Sequence, residues 1–371
     1  VKNEISMFQG DPPILVFFTT RRNRVRKFRK ALMLRAEVPP DVERITFDDL
    51  YDCDDMWTHL FGHMCMDLGI PEFEVWHYNG GPREVQYTQR MKERWVPDLR
   101  SEDVSDFDLV FARGGFQEYI PIIDKVQLQA YTIYYGAGKR FYPIPEGHYD
   151  LVLVDSKEQG KIIKDRMINQ KVALFIKPAS DNIFKPLEDT SYPLASRKNY
   201  DVCVAFQLAS YTKRFELVMQ ALNCGGYSAL VIGNVDERLK NYCPYGVCFA
   251  GRLFRKELPK LFSQCRVGLA THSQLESCPR VIPEFLACDL PIVVTSDTLF
   301  WKEKYITKDT GVLTKPDPEK IAQSIQWVLE NKWSPRKYYE ENLTVRCAAR
   351  YLAKVIDEEG TYPKGKETNM P

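Results

Sequence analysis

The sequence predicts an α/β chain folded as two Rossmann-like, doubly wound domains. Three observations predict it. At 371 residues the chain is too long for one ordinary hydrophobic core. In the first half, apolar runs ending at Ala112, Tyr135 and Val154 are each followed closely by glycine or serine, the pattern of parallel strands whose carboxyl ends feed ligand loops. In the second half, Arg266-Val-Gly-Leu-Ala-Thr271, a loop, a helix around Glu284 and Ile292-Val-Val-Thr295 make one strand–helix–strand step.

Taken in order, Pro13-Ile-Leu-Val-Phe-Phe18 reads as a first strand, an apolar run of the kind buried on both faces of a parallel sheet. The basic run Arg21 to Lys30 reads as a solvated helix, because charge runs usually face water. A phosphate-backbone contact and an acidic-ligand clamp are its alternatives. Met56 to Leu68 places Trp57, Leu60, Phe61, Met64 and Leu68 at helical spacing. His59 and His63 share a face of that helix, but Leu60 stands where a zinc-protease helix needs Glu, so they read as surface residues, with an acceptor contact as the alternative. Phe73 to Tyr78 is a second strand, ended by the turn signal Asn79-Gly-Gly81. Asp108 to Ala112, Tyr131 to Tyr135 and Asp150 to Val154 follow as strands, and the glycines after them serve either a ligand cleft or tight turns. Leu187 to Lys198 is polar and Pro-containing, a linker.

Beyond it, Asn199 to Phe206, Ser228 to Gly233 and Val247 to Leu253 read as strands, and Lys256 to Gln264 as a helix. Pro283 suits the first position of the next helix, where its missing N–H would have no partner. Asp289 and Pro291 end that helix. Gly311 to Leu313 is a strand and Asp317 to Glu330 a helix. Tyr338 to Ile356 reads as a single helix, with apolar residues at 345, 348, 351, 352 and 355.

Hydrophobic residues at 44% and charged residues at 27% are globular proportions. A net charge of +1 exerts no global pull on nucleic acid or anionic membrane. No apolar run approaches the ~18 residues of a membrane span, and the first residues lack the apolar core of a signal peptide. Ten cysteines are scattered, with Cys203, Cys265 and Cys288 inside apolar runs, as buried thiols in a reducing compartment would be. Cys243 and Cys248 form a close pair with no second pair beside it, which argues against zinc. The expectation is a cytoplasmic protein.

Glu276 and Glu284 stand eight residues apart around that strand–helix–strand step, where such folds hold nucleotides. Spacing alone is a weak signal, since acidic pairs are common on solvated surfaces. The whole segment says more. Glu276-Ser-Cys-Pro-Arg-Val-Ile-Pro-Glu284, followed by Ala287-Cys288-Asp289-Leu290-Pro291, resembles the Glu-x7-Glu signature and Ala-Cys-Gly-x-Pro turn of the retaining, GT-B-fold glycosyltransferases of family 4, the group 1 type. Asp289 replaces the usual glycine. The resemblance extends over roughly Val202 to Ile356.

It implies a GT-B architecture, two Rossmann-like domains facing across a cleft. Residues 1–186 would be the acceptor side, with a C-terminal helix 344–371 packing back on it, and 187–343 the nucleotide-sugar donor side. It implies a transferase that moves a sugar from a nucleoside-diphosphate sugar, of UDP, GDP or ADP type, to an acceptor hydroxyl with retention, and without cofactor or metal. Carried onto this sequence, Glu284 holds the ribose hydroxyls and Glu276 lies beside the donor sugar. Ser277, Cys278 and Arg280 face sugar or phosphates through their amides, while Pro279 has none to donate. Gly251, Arg252 and Leu253 cradle the base. The family's Arg place holds Gln207, and Lys213-Arg214 comes one step late for its Lys; cations there neutralise the departing diphosphate. Arg113, Gly114, Tyr135 and Gly136 line the acceptor side of the cleft, Tyr135-Gly136 standing where many relatives have His-Gly. Asp181, Phe184 and Pro186 fill the family's places before the interdomain linker, and Arg21 to Lys30 falls where relatives carry a Gly-rich phosphate loop.

Rival readings follow from the departures. One is a glycosyltransferase acting on modified nucleic acid, with Arg21 to Lys30 touching phosphates. Another is a non-catalytic protein of GT-B fold that binds nucleotide-sugar or nucleic acid. An epimerase or phosphorylase would share the architecture. A two-carboxylate glycosidase fits poorly, because no second partner stands opposite Glu276 or Glu284.

Overall fold

The computed structural model describes residues 28–36, 56–78, 83–86, 91–96, 98–114, 116–136, 149–167, 169–187, 198–208, 214–235, 237–240, 243–273 and 278–359. Two sheets carry them, one in each half of the chain.

The first sheet is built from β1 (Lys30–Ala36), β2 (Glu72–Tyr78), β3 (Arg83–Gln86), β4 (Met91–Val96), β5 (Leu109–Arg113), β6 (Tyr131–Tyr135), β7 (Leu151–Val154) and β8 (Val172–Leu174). Their order across the sheet is β3-β4-β2-β1-β5-β6-β7-β8, and every pair is parallel except β3–β4. β1 is central, with Met33 opposite Val75 on one side and Phe111 on the other. This corrects the sequence reading at Lys30, which opens a strand rather than closing a solvated helix. The strand expected at Pro13 to Phe18 lies outside the described residues. Ala31 and Met33 face one apolar cluster while Leu32 and Leu34 face another, so the run is covered on both faces. Its flanking charges disguised it. Arg29 and Lys30 both donate their backbone N–H to Asp108 Oδ2, and Lys30 Nζ lies 3.0 Å from Glu74 Oε1. The described end of the basic run is therefore spent on carboxylates of the protein itself; Arg21 to Lys27 lie outside the described residues.

The second sheet contains β9 (Tyr200–Leu208), β10 (Ala229–Asn234), β11 (Val247–Gly251), β12 (Cys265–Ala270), β13 (Ile292–Thr295) and β14 (Gly311–Thr314). All pairs are parallel, in the order β11-β10-β9-β12-β13-β14. The order reverses between β9 and β12, which makes their carboxyl ends a topological switch point. In the first sheet the same reversal lies between β1 and β5.

Helix α1 (Met56–Asp67) buries residues nearly all round, because it is covered by sheet on one side and by the last helix on the other. Helix α2 (Phe116–Val126) follows β5, and α3 (Lys157–Arg166) follows β7. Ser156 caps α3, its side chain accepting from Gln159 N while Gln159 returns a bond to the cap, a reciprocal arrangement that satisfies otherwise orphaned amides. In the second half, α4 (Phe215–Gly225) follows β9, α5 (Leu258–Phe262) precedes β12, and α6 (Val281–Ala287) joins β12 to β13. Helix α7 (Pro318–Glu330) starts with Asp317 as cap and Pro318 in its first turn.

The predicted helix from Tyr338 to Ile356 is two helices, α8 (Pro335–Asn342) and α9 (Val345–Glu359). The break has a cause. Asp181 accepts from the Tyr339 hydroxyl at 2.6 Å and from the Val345 N–H at 3.0 Å, and Thr344 Oγ1 accepts from Cys347 N, so a new helix is capped where the old one would have continued. Helix α9 packs against α1, where Arg346 Nη2 donates to Asp67 Oδ1 at 2.7 Å and Nη1 lies 3.3 Å from His63 Nδ1. Residues 360–371 lie outside the described set. No helix among the described residues is long and apolar enough to cross a membrane.

Candidate active site

The switch point of the second sheet lies at the ends of β9 and β12, so the loops that begin after Leu208 and Ala270 are the ones placed to hold a ligand. These are the loops of Lys213-Arg214 and of Glu276 to Arg280. Lys213, Glu276 and Ser277 fall outside the described residues. Arg214, Cys278, Arg280 and Glu284 are described.

Helix α6 seats Glu284. It packs close on β12, because Gly268 has no side chain: a Cβ there would come within 2.4 Å of the Phe285 ring. Pro283 is the third residue of the helix rather than the first, still among the amides without an intrahelical partner. Glu284 N, bonding Arg280 O at 3.3 Å, closes the first turn. At the other end Leu290 N reaches Phe285 O and Asp289 N reaches Leu286 O, the double bond of a left-handed C-terminal cap. Asp289 takes that left-handed position at φ 59, which explains why the family pattern prefers glycine. Here Asp289 Oδ1 accepts from Arg336 N at 3.0 Å, and Arg336 Nη1 also donates to Ala287 O.

Glu284 is 6% exposed and its Oε1 accepts from Arg255 Nη2 at 2.8 Å. Arg255 belongs to the loop after β11, whose guanidinium lies over the Phe184 ring. On that same loop Gly251 has φ 69, Arg252 is exposed, and Leu253 is half-buried against the core. The structure thus joins Glu284 to the Gly251–Leu253 loop through Arg255, a residue the sequence reading did not single out. Burial raises the Glu284 carboxyl above its usual range, while the charges of Arg255, Arg280 and Lys177 pull it down.

Arg214 stands at the N-terminus of α4 with φ 54. Its guanidinium forms a two-pronged pair with Asp297, on the loop after β13, with Nη1 3.0 Å from Oδ1. A cation there opposes the helix dipole, and Asp297 offsets that cost. Gln207 lies in β9, upstream of the undescribed residues 209–213.

The remaining residues meet where the two sheets adjoin. Tyr135 ends β6 with its hydroxyl donating to Asp155 Oδ1 at 2.9 Å. Lys177, 6% exposed, lies between Asp155 Oδ2 at 3.5 Å and the main-chain oxygen of Cys278, to which it donates at 2.8 Å. The Tyr305 hydroxyl accepts from Lys177 N and donates to Lys177 O. Burial is the main reason the Tyr135 and Tyr305 hydroxyls titrate well above their usual range and the Cys278 thiol is pushed up to about 12. Arg113, half-buried at the end of β5, lays its guanidinium over Trp57 at 4.6 Å. Gly114, at φ 67, donates its N–H to Tyr135 O, and Gly136 follows β6 half-buried. Arg113, Gly114, Tyr135 and Gly136 are therefore one neighbourhood, as the strand-end pattern led us to expect. Lys177 and Asp155 are an addition: neither lies in a motif, and only folding brings them beside Cys278. Among the described residues no group of three or more His, Cys, Asp or Glu side chains is placed to hold a metal ion.

Residues 198–345 match the family described as Glycosyl transferases group 1. Among solved structures, a sucrose-phosphate synthase from Thermosynechococcus elongatus is similar over 89% of this chain and 99% of its own, with a TM-score of 0.65 at 13% identity. A glycosyltransferase from Rickettsia africae gives the same TM-score of 0.65 at 13% identity, over 90% and 99% of the two chains. Anabaena HepE, solved in complex with UDP and glucose, aligns over 90% of this chain and 96% of its own, with a TM-score of 0.56 at 15% identity. No curated protein sequence matches the chain.

Proposed function

We propose that this chain, whose residues 198–345 match the group 1 glycosyl transferases on a two-sheet GT-B fold, transfers a sugar with retention from a nucleoside-diphosphate sugar to an acceptor hydroxyl. The observation that carries the reading is buried Glu284, in the helix after β12, bonded through Arg255 to the loop of Gly251 to Leu253; Arg214, after β9 on the other side of the switch point, pairs with Asp297. The HepE structure with UDP and glucose is consistent with a nucleotide-sugar donor in a fold of this kind.

In this reading Glu284 accepts the ribose hydroxyls and Gly251, Arg252 and Leu253 border the base. Glu276 lies beside the donor sugar and stabilises positive charge on its ring as the glycosidic bond lengthens. Breaking the sugar–phosphate bond leaves negative charge on the nucleoside diphosphate; Lys213 and Arg214 take it up, aided by Arg280 and the amides of Ser277 and Cys278. With cations doing that work, the proposal includes no metal and no cofactor. Arg113, Gly114, Tyr135 and Gly136 face the acceptor. We divide the chain into residues 1–186 and 187–343, with the helix from 344 returning to the first; the packing of α9 on α1 supports that division. Free thiols at the buried Cys65, Cys203, Cys265, Cys278 and Cys288 support a reducing compartment, the cytoplasm.

The test is a thermal-shift panel of UDP, GDP, ADP and their sugar conjugates, followed by NMR of the anomeric proton during turnover of whichever conjugate responds. A ligand at 100 times its Kd should stabilise by about 2.7 kcal/mol. A single responding base and a first-formed product with the donor's anomeric configuration are expected. An inverted product overturns the retaining assignment, and silence across the panel overturns the donor class.

A further inference from the structure

We propose that the groove between the outer edge of β14 and helix α7 binds an extended, acidic segment of a partner polypeptide, which joins the second sheet as a further strand. The groove stands apart from the donor site, since β14 lies two strands from β12.

β14 ends its sheet, paired with β13 alone among the described residues. Ile292 N donates to Thr310 O and Ser296 N to Thr314 O, so the main chain at 310 and 314 turns towards β13. Main-chain groups alternate along a strand, and those of Leu313 therefore turn outward. Leu313 brings neither charge nor proline to that edge, the features that commonly blunt one. After a short turn, α7 starts at Pro318 and runs back along the strand. Its residues Ile321, Ala322, Ile325 and Val328 are buried in the core. A second stripe at helical spacing, Lys320, Gln323, Ser324 and Trp327, borders the groove instead. The enclosed volume is about 350 Å³.

The two ends of the groove differ. Leu313 and Trp327 are 42% and 57% exposed, two large apolar side chains left uncovered on one surface. Towards the turn lie Lys315 and Lys320, both exposed. Lys320 Nζ donates to the neutral Gln323 Oε1 at 3.0 Å, and among the described residues no acidic side chain lines the groove. From Lys320 to Trp327 the helix rises about 10 Å, the reach of about three extended residues. An added strand would thus set a large apolar side chain against Trp327 and, two positions away on the same face, a carboxylate against the lysines. Main-chain bonds to Leu313 would supply affinity, and those two side chains selectivity.

The test is fluorescence anisotropy of short labelled synthetic peptides titrated with the full chain. The peptides carry Phe and Glu two positions apart, in both orders. Controls replace Glu with Lys, or N-methylate alternate amides in either register. One order of the Phe and Glu peptide should bind, and the Lys control should bind roughly tenfold more weakly, the loss of one charge-assisted contact. Lys320→Glu and Trp327→Ser should each weaken binding by roughly tenfold as well. Both residues are exposed, so both variants should keep the wild-type melting temperature. Only one register of N-methylation should interfere, because alternate amides face β14. No binding of either order by wild type, or equal affinity in wild type and both variants, overturns the proposal. Equal binding of the Lys control overturns the acidic partner, and equal effects of the two methylated registers overturn strand addition. A dimer in analytical ultracentrifugation that Trp327→Ser dissociates gives the groove to a second copy and also overturns the proposal.

Discussion

Lys177 Nζ donates a 2.8 Å hydrogen bond to the backbone oxygen of Cys278, so a buried ammonium from the end of the first sheet holds the loop that leads into the helix of Glu284. Its countercharge is Asp155, fully buried. Removing one partner of such a pair leaves an uncompensated buried charge. Lys177→Met is expected to cost about 3–5 kcal/mol, measured by urea denaturation. Adding Asp155→Asn to it should recover part of the loss; a double variant no more stable than the single one would show that the two residues are not coupled.

Asp289 occupies a left-handed position and also accepts from Arg336 N. Replacing it with glycine relieves about 1–2 kcal/mol of backbone strain and removes a hydrogen bond of about 1 kcal/mol, so Asp289→Gly should lie within about 1 kcal/mol of wild type. Asp289→Ala keeps the strain and loses the bond. It should be the less stable of the two in denaturant midpoint.

His63 contacts Arg346 where α1 meets α9, and its pKa is lowered, first by burial and then by Arg346. The unfolded chain therefore binds the proton more readily than the folded one. Stability should be full above the ordinary value of about 6.5 and should fall as pH drops through the window between that value and the lowered one. His63→Gln should flatten the profile of melting temperature against pH in that window.

Arg214 and Asp297 are linked by two parallel contacts. If Arg214 receives the leaving diphosphate, Arg214→Ala should lower kcat by about 10²–10³, the range for loss of one charge-stabilising donor. Asp297→Asn keeps the cation but loosens its aim and should do less. Steady-state kinetics with the responding donor checks both.

Much of the second half was legible because its strands are apolar runs of ordinary length and Glu284 sits in a dense motif. β12, α6 and β13 appear within a residue or two of their predicted limits, and the left-handed Asp289 gives a physical reason for the one departure from the motif. β1 was not legible, since Arg29, Lys30 and Arg35 make its ends look solvated while Asp108 and Glu74, distant in sequence, neutralise the first two. The break before α9 was hidden for the same reason: Asp181 caps Val345 from far along the chain. Arg255, Asp297 and Lys177 owe their place at the site to tertiary contacts that no local spacing encodes. Glu276, Ser277 and Lys213 lie outside the described residues, and their roles stand on the family resemblance.

The central claim is that Glu284 holds the donor's ribose, and calorimetric titration of the responding nucleoside diphosphate into wild type and Glu284→Ala tests it most directly. The account predicts one site per wild-type chain and affinity weakened by about tenfold or more in the variant, the value of a hydrogen bond to a charged group. Equal affinity in a variant whose melting temperature matches wild type would contradict it.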